Sequence, residues 1–187
     1  LDDDVYYGIS TFRALDNFNV SDLKVNTKII DELINVKKQA AIANKKLGFL
    51  EFDIADAIIS ACNKIINGEY RENFVVNRYQ GGAGTSTNMN ANEVIAGYAN
   101  EQLNGTRGGK DPIHPNDHVN MGQSSNDTFP TAMYIAAGEQ VHHALYPALE
   151  KLHSALDGKA KQFAKIVKNG RTHLQDATPL TLGQEFS

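Results

Sequence analysis

Three short stretches of the chain are rich in small polar side chains of the kind that bind anions or move protons. The first, residues 81–90, reads Gly-Gly-Ala-Gly-Thr-Ser-Thr-Asn-Met-Asn. Glycines let the backbone approach a ligand, and hydroxyls at a helix start can bind an anion. Because no Gly-Lys-Ser/Thr sequence follows, this is not a nucleotide phosphate-binding loop. A capped helix start with a tight turn would explain the same residues.

The second stretch, residues 114–127, places two histidines and an aspartate before a run of hydroxyl and amide side chains. The histidine and aspartate spacing matches no common zinc pattern, and no thiolate lies nearby in the sequence. Ser124, Ser125 and Asn126 at a predicted helix start would form a cradle for a carboxylate. An N-cap with an Asx turn is the alternative interpretation.

The third stretch, residues 171–176, surrounds His173 with the donors Arg171, Thr172 and Gln175. A histidine in such a loop could transfer a proton or orient a substrate. A purely structural histidine is the alternative. The remaining histidines, His142, His143 and His153, fall on a predicted long helix, and we interpret them as surface residues.

The elements that must position these stretches are helices. Apolar residues recur at helical spacing over about 27–47, 53–66, 87–103 and 127–167. In the last range Leu145, Leu149, Leu152 and Leu156 step as in long bundled helices, and Pro147 either kinks the helix or starts a second one. The residues after 170 read as a polar, turn-rich stretch.

The pattern therefore predicts an all-α fold with no sheet larger than a small hairpin near the N-terminus. We expect an N-terminal helical domain over residues 1–125. Residues 126–187 would be the start of a central helical bundle.

Composition excludes several classes of function. The formal net charge of -4 and the pI near 5.8 argue against a nucleic-acid partner. The adjacent pairs Lys37-Lys38 and Lys45-Lys46 are expected on solvated helix faces. No stretch approaches the roughly 18 apolar residues of a membrane span, and the first residues do not resemble a signal peptide. The single cysteine, Cys62, is expected to be a small buried side chain, and a cytoplasmic location fits.

Taken together, the three stretches resemble the three separated motifs of the aspartase/fumarase superfamily, in the same order and at similar spacing. The first motif is matched by Gly84-Thr85 and residues 88–90, the second by residues 123–127, and the third by residues 170–177 with 182–185. Tyr6-Tyr7-Gly8 near the start also fits. The resemblance covers essentially the whole chain.

The resemblance implies an all-α homotetramer that builds each active site from three subunits. The reaction would be an anti elimination that gives fumarate from a small dicarboxylate, with no metal or organic cofactor. In this family a serine on a mobile Gly-Ser-Ser loop removes the proton, and that loop lies further along the chain than these motifs. We therefore expect the 187 residues to resemble the N-terminal portion, to be inactive alone, and to hold solvent-facing polar clusters that are not mutually adjacent.

The resemblance also assigns roles to individual residues. Substrate binding falls to Thr85, Ser124, Ser125 and Asn126. The substrate carboxylate and its developing negative charge would be held by Thr172 and His173. A second, peripheral dicarboxylate site would comprise His114, Asn116 and Asp117.

The motifs must also be compared for the leaving group, which is ammonia in aspartases and water in fumarases. Ala83 within the Gln-Gly-Gly-Ala-Gly-Thr sequence resembles aspartases, because fumarases usually carry a serine there that assists the water. Residues 114–117 and 130–133 look more like fumarases. We favour aspartate ammonia-lyase, a carbon–nitrogen lyase, over fumarate hydratase, because Ala83 would lie closest to the leaving group. A non-catalytic helical scaffold is a third possibility, but a scaffold has no need of these polar groups.

Overall fold

Helices make up most of the computed structural model, which describes residues 4–187. The α-helices are α1 (Ile9–Asn17), α2 (Thr27–Lys46), α3 (Phe52–Ile66), α4 (Thr85–Asn104), α5 (Ser125–Gln140), α6 (Tyr146–Gln162) and α7 (Leu182–Glu185). Short 3-10 and π-helical turns occupy Arg71–Asn73, Pro115–Val119 and Val141–Leu145. Strands β1 (Val167–Thr172) and β2 (Gln175–Thr181) form one antiparallel hairpin. The predicted all-α class is confirmed.

Helices α2, α3 and α4 enclose the hydrophobic core. The Asn26 side chain caps α2 by accepting the Lys28 N–H at 2.9 Å, and Ile30, Leu33 and Ile34 then face inward. The buried face of α3 includes Cys62, which is fully buried, as the sequence predicted. Residues 90–100 of α4 are buried on all sides, which marks α4 as the central helix of this part of the fold.

A single carboxylate on α4 holds the start of α1. Glu93 accepts the backbone N–H groups of Gly8, Ser10 and Thr11 at 2.9, 2.9 and 3.0 Å, and the Thr11 hydroxyl at 2.6 Å. These are the donors that a helix start leaves without internal partners, and negative charge is favourable there. The Tyr6-Tyr7-Gly8 segment is thereby fixed beside α4.

Helical backbone continues from α5 through the π-helical turn Val141–Leu145 into α6. Pro147 lies in the first turn of α6, where its missing N–H costs little, and the wider turn before it relieves the clash with the preceding carbonyl. Pro147 therefore opens a second helix without a break. The chain divides into two compact units, one ending at Ala136 and the other spanning Ala137–Ser187.

The hairpin corrects two expectations. Among the described residues the sheet lies at 167–181 rather than near the N-terminus, and it replaces part of the expected turn-rich stretch. The sequence of the hairpin shows no clean alternation of apolar and polar residues. Pro179 pairs with Asn169 next to an irregularity in the strand pairing, where a proline is tolerated. Gly170 permits the close approach, since a Cβ there would lie 2.9 Å from the Thr178 carbonyl oxygen.

The expectation that Lys37 lies on a solvated helix face is wrong. Its side chain is fully buried, with 0% exposure, whereas Lys38 is only half-buried and donates to Asn63 at 3.1 Å. Within residues 4–187, no helix combines the length and the apolar character that crossing a membrane would require.

Candidate functional site

The first polar cluster begins α4. Gly84 takes a left-handed backbone conformation, with φ of 73°, and Thr85 is the first helical residue. Gln80 supports this start, because its Oε1 accepts the Thr87 N–H at 3.0 Å and its Nε2 donates to the Thr87 hydroxyl at 2.6 Å. The N–H groups of the first helical turn point out of the helix start, where an anion would be stabilised.

The second polar cluster lies at the N-terminus of α5, next to the N-terminus of α4. The hydroxyl oxygens of Thr85 and Ser125 are 3.4 Å apart, so two helix N-termini meet there. Ser124 and Asn126 are exposed on either side of Ser125. Hydroxyls, an amide and two helix starts together form a site suited to a carboxylate.

One glycine allows the two helix starts to meet. A Cβ on Gly84 would lie 2.2 Å from the ring of Phe129, one turn into α5, which is far inside van der Waals contact. The left-handed backbone at Gly84 also disfavours any other residue. The glycine in the first motif is therefore required for packing, and Thr85 reaches Ser125 because of it.

A buried lysine, Lys37, which its residue type had predicted to lie on the surface, contacts residues beneath the two helix starts. Lys37 Nζ donates to amide oxygens of Asn88, Asn120 and Gln123 at 2.7, 3.3 and 3.3 Å. Burial lowers the pKa of Lys37 to about 7. The signal was present in the sequence, because Lys37 follows Ile30 by seven residues and continues the apolar stripe of α2.

His114, Asn116 and Asp117 lie together at the π-helical turn Pro115–Val119. His114 Nδ1 accepts the backbone N–H groups of Asn116 and Asp117 at 3.2 and 3.1 Å, so it caps the turn. The Asp117 carboxylate is 3.3 Å from the same nitrogen. Asn116 and Asp117 are exposed, and their assignment to a peripheral site stays a prediction.

Thr172 and His173 occupy the tip of the hairpin. Thr172 pairs with Gln175, which leaves His173 and Leu174 as the two turn residues, with φ of 50° and 60°. Positive φ at both positions is the backbone of a type I′ turn, which non-glycine residues adopt at a cost. His173 is exposed, and the nearby ion pair of Arg171 with Asp176, at 3.2 Å, is exposed as well.

The expectation that the polar clusters are not mutually adjacent within one chain is wrong for the first two, which meet at Thr85 and Ser125. The expectation of exposure is confirmed: Ser125 is partly exposed, and Thr85, Ser124, Asn126, Thr172 and His173 are exposed. Across residues 4–187, the His, Cys, Asp and Glu side chains form no group of three that could hold a metal ion.

A protein-family model described as a lyase matches residues 2–187. The chain belongs to the aspartase/fumarase superfamily of lyases. It is 54% identical over 182 residues to a class II fumarate hydratase of Methylorubrum extorquens, covering 97% of this chain and 39% of that protein. A class II fumarate hydratase of Rickettsia bellii is 52% identical over 187 residues, covering 100% of this chain and 40% of the relative.

Solved structures of this superfamily have the same fold. The native form of a fumarate lyase:delta crystallin from Brucella melitensis superposes with a TM-score of 0.91 at 50% identity, over 98% of this chain and 43% of the other. A recombinant class II fumarase from Schistosoma mansoni gives a TM-score of 0.91 at 41% identity, over 100% of this chain and 39% of the other. The chain thus spans about two fifths of the length of the relatives it matches.

Proposed function

We propose that the chain is the N-terminal part of a fumarate hydratase, which interconverts L-malate with fumarate and water. The observation that carries this proposal is the identity of 52–54% with class II fumarate hydratases over nearly the whole chain. The sequence alone favoured aspartate as the substrate, and the relatives favour the alternative of malate.

The site geometry supports a dicarboxylate substrate. One carboxylate would bind where Thr85 and Ser125 meet, next to Ser124 and Asn126, at two converging helix N-termini. In the elimination, a proton leaves Cβ and the Cα–O bond breaks, so that the hydroxyl departs as water once it is protonated. The electron pair on the carbon skeleton is shared transiently with the neighbouring carboxylate.

Because this carboxylate gains negative charge during the elimination, hydrogen-bond donors around it would stabilise the transition state. In the tetramer that the superfamily resemblance implies, Thr172 and His173 would supply these donors from a different subunit. Donors that match the charge of a transition state better than that of the ground state lower the barrier, by about 3–4 kcal/mol for one donor. The proton-abstracting group would come from a part of the full-length protein beyond this chain.

Aspartate remains the second candidate because of one residue. Ala83 provides no hydroxyl to assist a leaving or attacking water, and it is exposed immediately before Gly84. An ammonia-lyase would not need that hydroxyl. Ala83 is therefore the specific observation that favours an aspartate ammonia-lyase.

The deciding experiment is an assay of the full-length protein on L-malate and on L-aspartate, following the ultraviolet absorbance of fumarate. Fumarate from malate alone supports the hydratase, and fumarate from aspartate alone supports the ammonia-lyase. An Ala83→Ser variant sharpens the result, because it should raise the rate on malate if Ala83 faces the leaving water. Formation of fumarate from neither substrate would overturn both candidates.

Three further expectations belong to this proposal. The full-length protein should be a homotetramer by analytical ultracentrifugation, and it should act in the cytoplasm. Its activity should survive dialysis against a chelator, because the superfamily chemistry uses no metal or organic cofactor. Loss of activity on chelation, restored by one added divalent metal, would contradict the last expectation.

Malate should also bind a second time near His114, Asn116 and Asp117, which cluster at the π-helical turn. Titration of the full-length protein with malate checks this expectation. An Asp117→Ala variant should alter a weaker binding event and leave the main one intact.

A further inference from the structure

Lys37 occupies an unusual position in the core. It is the largest fully buried side chain in the described part of the protein, and it ends among amide groups. A buried charge without hydrogen-bonding partners would be very costly, so its three amide oxygens are what make the position tolerable. A methionine or leucine would fill the same space on α2 without the free-energy cost of burying an amine, which indicates a specific role for the amine.

The three acceptors of Lys37 come from both sides of the candidate site. Asn88 lies on α4 one turn after Thr85, and Gln123 lies two residues before Ser125. Asn120, between them, accepts from Lys37 and from the Asn88 side chain at 3.0 Å. It also donates to the Gln123 carbonyl oxygen at 3.0 Å. Lys37 therefore joins the segment that precedes α5 to the first turns of α4.

We propose that Lys37 is a positioning residue that fixes the 120–125 segment against α4 and so holds Thr85 beside Ser125. An ammonium group has three N–H donors, and here it meets one oxygen from each of three amides. Loss of one proton leaves two donors and a lone pair facing three oxygens. One amide must then turn away, and the 120–125 segment loosens.

Charge is the feature that separates this role from simple packing. Burial places the pKa of Lys37 at about 7, so its charge changes near neutral pH. The titratable group facing it from α3 is Cys62, and burial raises the pKa of that thiol to about 12, so it stays neutral over this range. The groups that α4 and the 120–125 segment present to Lys37 Nζ are amides, which do not titrate.

The first experiment is hydrogen exchange on the full-length protein and does not depend on its activity. Lys37→Met keeps the length and apolar stem of the side chain but removes its donors. Exchange in peptides covering 119–126 should rise at least about tenfold, the scale expected for loss of a hydrogen bond to a charged group, while exchange in α3 stays unchanged. Lys38→Met, which affects a half-buried neighbour, is the control. Unchanged exchange in Lys37→Met would overturn the proposal.

The second experiment uses malate kinetics and rests on the proposed function. Lys37→Met should lower kcat/KM by about 10- to 100-fold, mainly through KM, because the substrate-binding side chains are misplaced. In the wild type KM should rise as the pH passes above about 7, and in Lys37→Met it should be high and independent of pH. A wild-type protein that makes no fumarate defeats the proposed function alone, and the exchange result then decides the role of Lys37.

A third variant covers the case in which Lys37→Met does not fold. Asn120→Asp keeps the oxygen that accepts from Lys37 and makes it part of a carboxylate, which raises the pKa of Lys37. Because the variant also loses the donor to the Gln123 carbonyl oxygen, the shift in pH decides the test and the level of exchange does not. Two pH values should move upward: the pH at which residues 119–126 begin to lose protection relative to their intrinsic exchange rate, and the pH at which KM begins to rise. If neither moves, the charge of Lys37 does not control the segment, and the proposal fails.

Discussion

The two regions that carry the proposed substrate-binding residues are built in opposite ways. Thr85 and Ser125 stand on the first residues of two long helices, and a close glycine–phenylalanine contact and a buried lysine lie behind them. Thr172 and His173 stand at the exposed tip of a two-stranded hairpin. One region is organised by the core, and the other depends on a local turn.

This difference shows where each region obtains its precision. The helix starts are held by contacts between residues far apart in sequence, so their geometry is fixed when the core forms. The hairpin tip is held by its own backbone, in which His173 and Leu174 both have positive φ. Such a conformation costs about 1–2 kcal/mol at each non-glycine residue, and such costs often accompany functional positions.

The largest expected effect is on catalysis at the hairpin tip. Replacing His173 with Ala in the full-length protein should lower kcat by roughly ten- to a thousand-fold, with a smaller change in KM. The reason is that the donor it removes stabilises the transition state more than the ground state. Steady-state kinetics on malate and on aspartate measure this effect.

His143→Ala is the matched control, because His143 is an exposed histidine in the π-helical turn before α6. It should behave like the wild type. If His173→Ala keeps a wild-type kcat, or if the two variants behave alike, the hairpin tip has no catalytic role. The comparison between the two regions would then reduce to a difference in structure.

The next effect falls on the helix starts. Gly84→Ala would force a Cβ into the Phe129 ring at a left-handed position, so we expect a loss of about 2–4 kcal/mol of unfolding free energy. Activity should fall about 100-fold, because Thr85 moves away from Ser125. Gly81→Ala is the control, since a Cβ there meets nothing within 4 Å and its φ is not positive.

A second change separates crowding from backbone strain. In the Gly84→Ala background, Phe129→Ala removes the ring that the new Cβ would strike. Stability and activity should then recover in part, with an interaction energy of about 1–3 kcal/mol between the two sites. Strictly additive effects would show that the Phe129 contact does not set the position of Thr85.

The helices that hold the first region were predicted well from the sequence. The ranges of α2, α3 and α4 follow from apolar periodicity and from cap residues such as Asn26, which are local signals. The residues that begin α4 and α5 were also found, because small polar residues at helix starts are a local signal too. That these two starts meet could not be found, because it depends on long-range packing.

Two other features were missed for different reasons. The hairpin lacks an alternating pattern, because Asn169, Gly170 and Pro179 lie inside the strands, and only its pairing makes it a sheet. Lys37 was misplaced because its residue type outweighed its position in the apolar stripe of α2. In α2, position in the apolar stripe therefore determined the burial of this residue more than its charge did.

The pH dependence of stability tests the buried support of the first region. Lys37 ordinarily has a pKa of 10.5, which burial lowers to about 7. Between these values the unfolded chain binds more protons, so global stability rises with pH, even though the neutral amine within the folded protein has one donor fewer for the 120–125 segment. Cys62 moves from 9.0 up to about 12, so above pH 9 it acts in the opposite sense. Stability should thus rise from about pH 7 to 9 by up to about 1.4 kcal/mol per pH unit, and then level off.

Urea unfolding of three proteins across this range resolves the two contributions. Lys37→Met should lose the rise between pH 7 and 9. Cys62→Ala should keep the rise and extend it towards pH 10.5, because the opposing thiol is gone. A rise of equal size in the wild type and in Lys37→Met would show that Lys37 does not change its charge in this range.

The smallest effect concerns the turn that carries the second region. Leu174 is 93% exposed and has φ of 60°, so its side chain contributes little packing while its backbone is strained. Leu174→Gly should remove that strain, and after the entropy cost of glycine the net gain should be about 0.5–1 kcal/mol in unfolding free energy.

Val167→Gly is the control, because Val167 is also exposed, at 74%, but lies in β1 at ordinary φ, where glycine should destabilise. Thermal unfolding of both variants reports the sign of each change. A destabilised Leu174→Gly would mean that the turn is held by its side chains, and the hairpin tip would then resemble the helix starts more than the structure indicates.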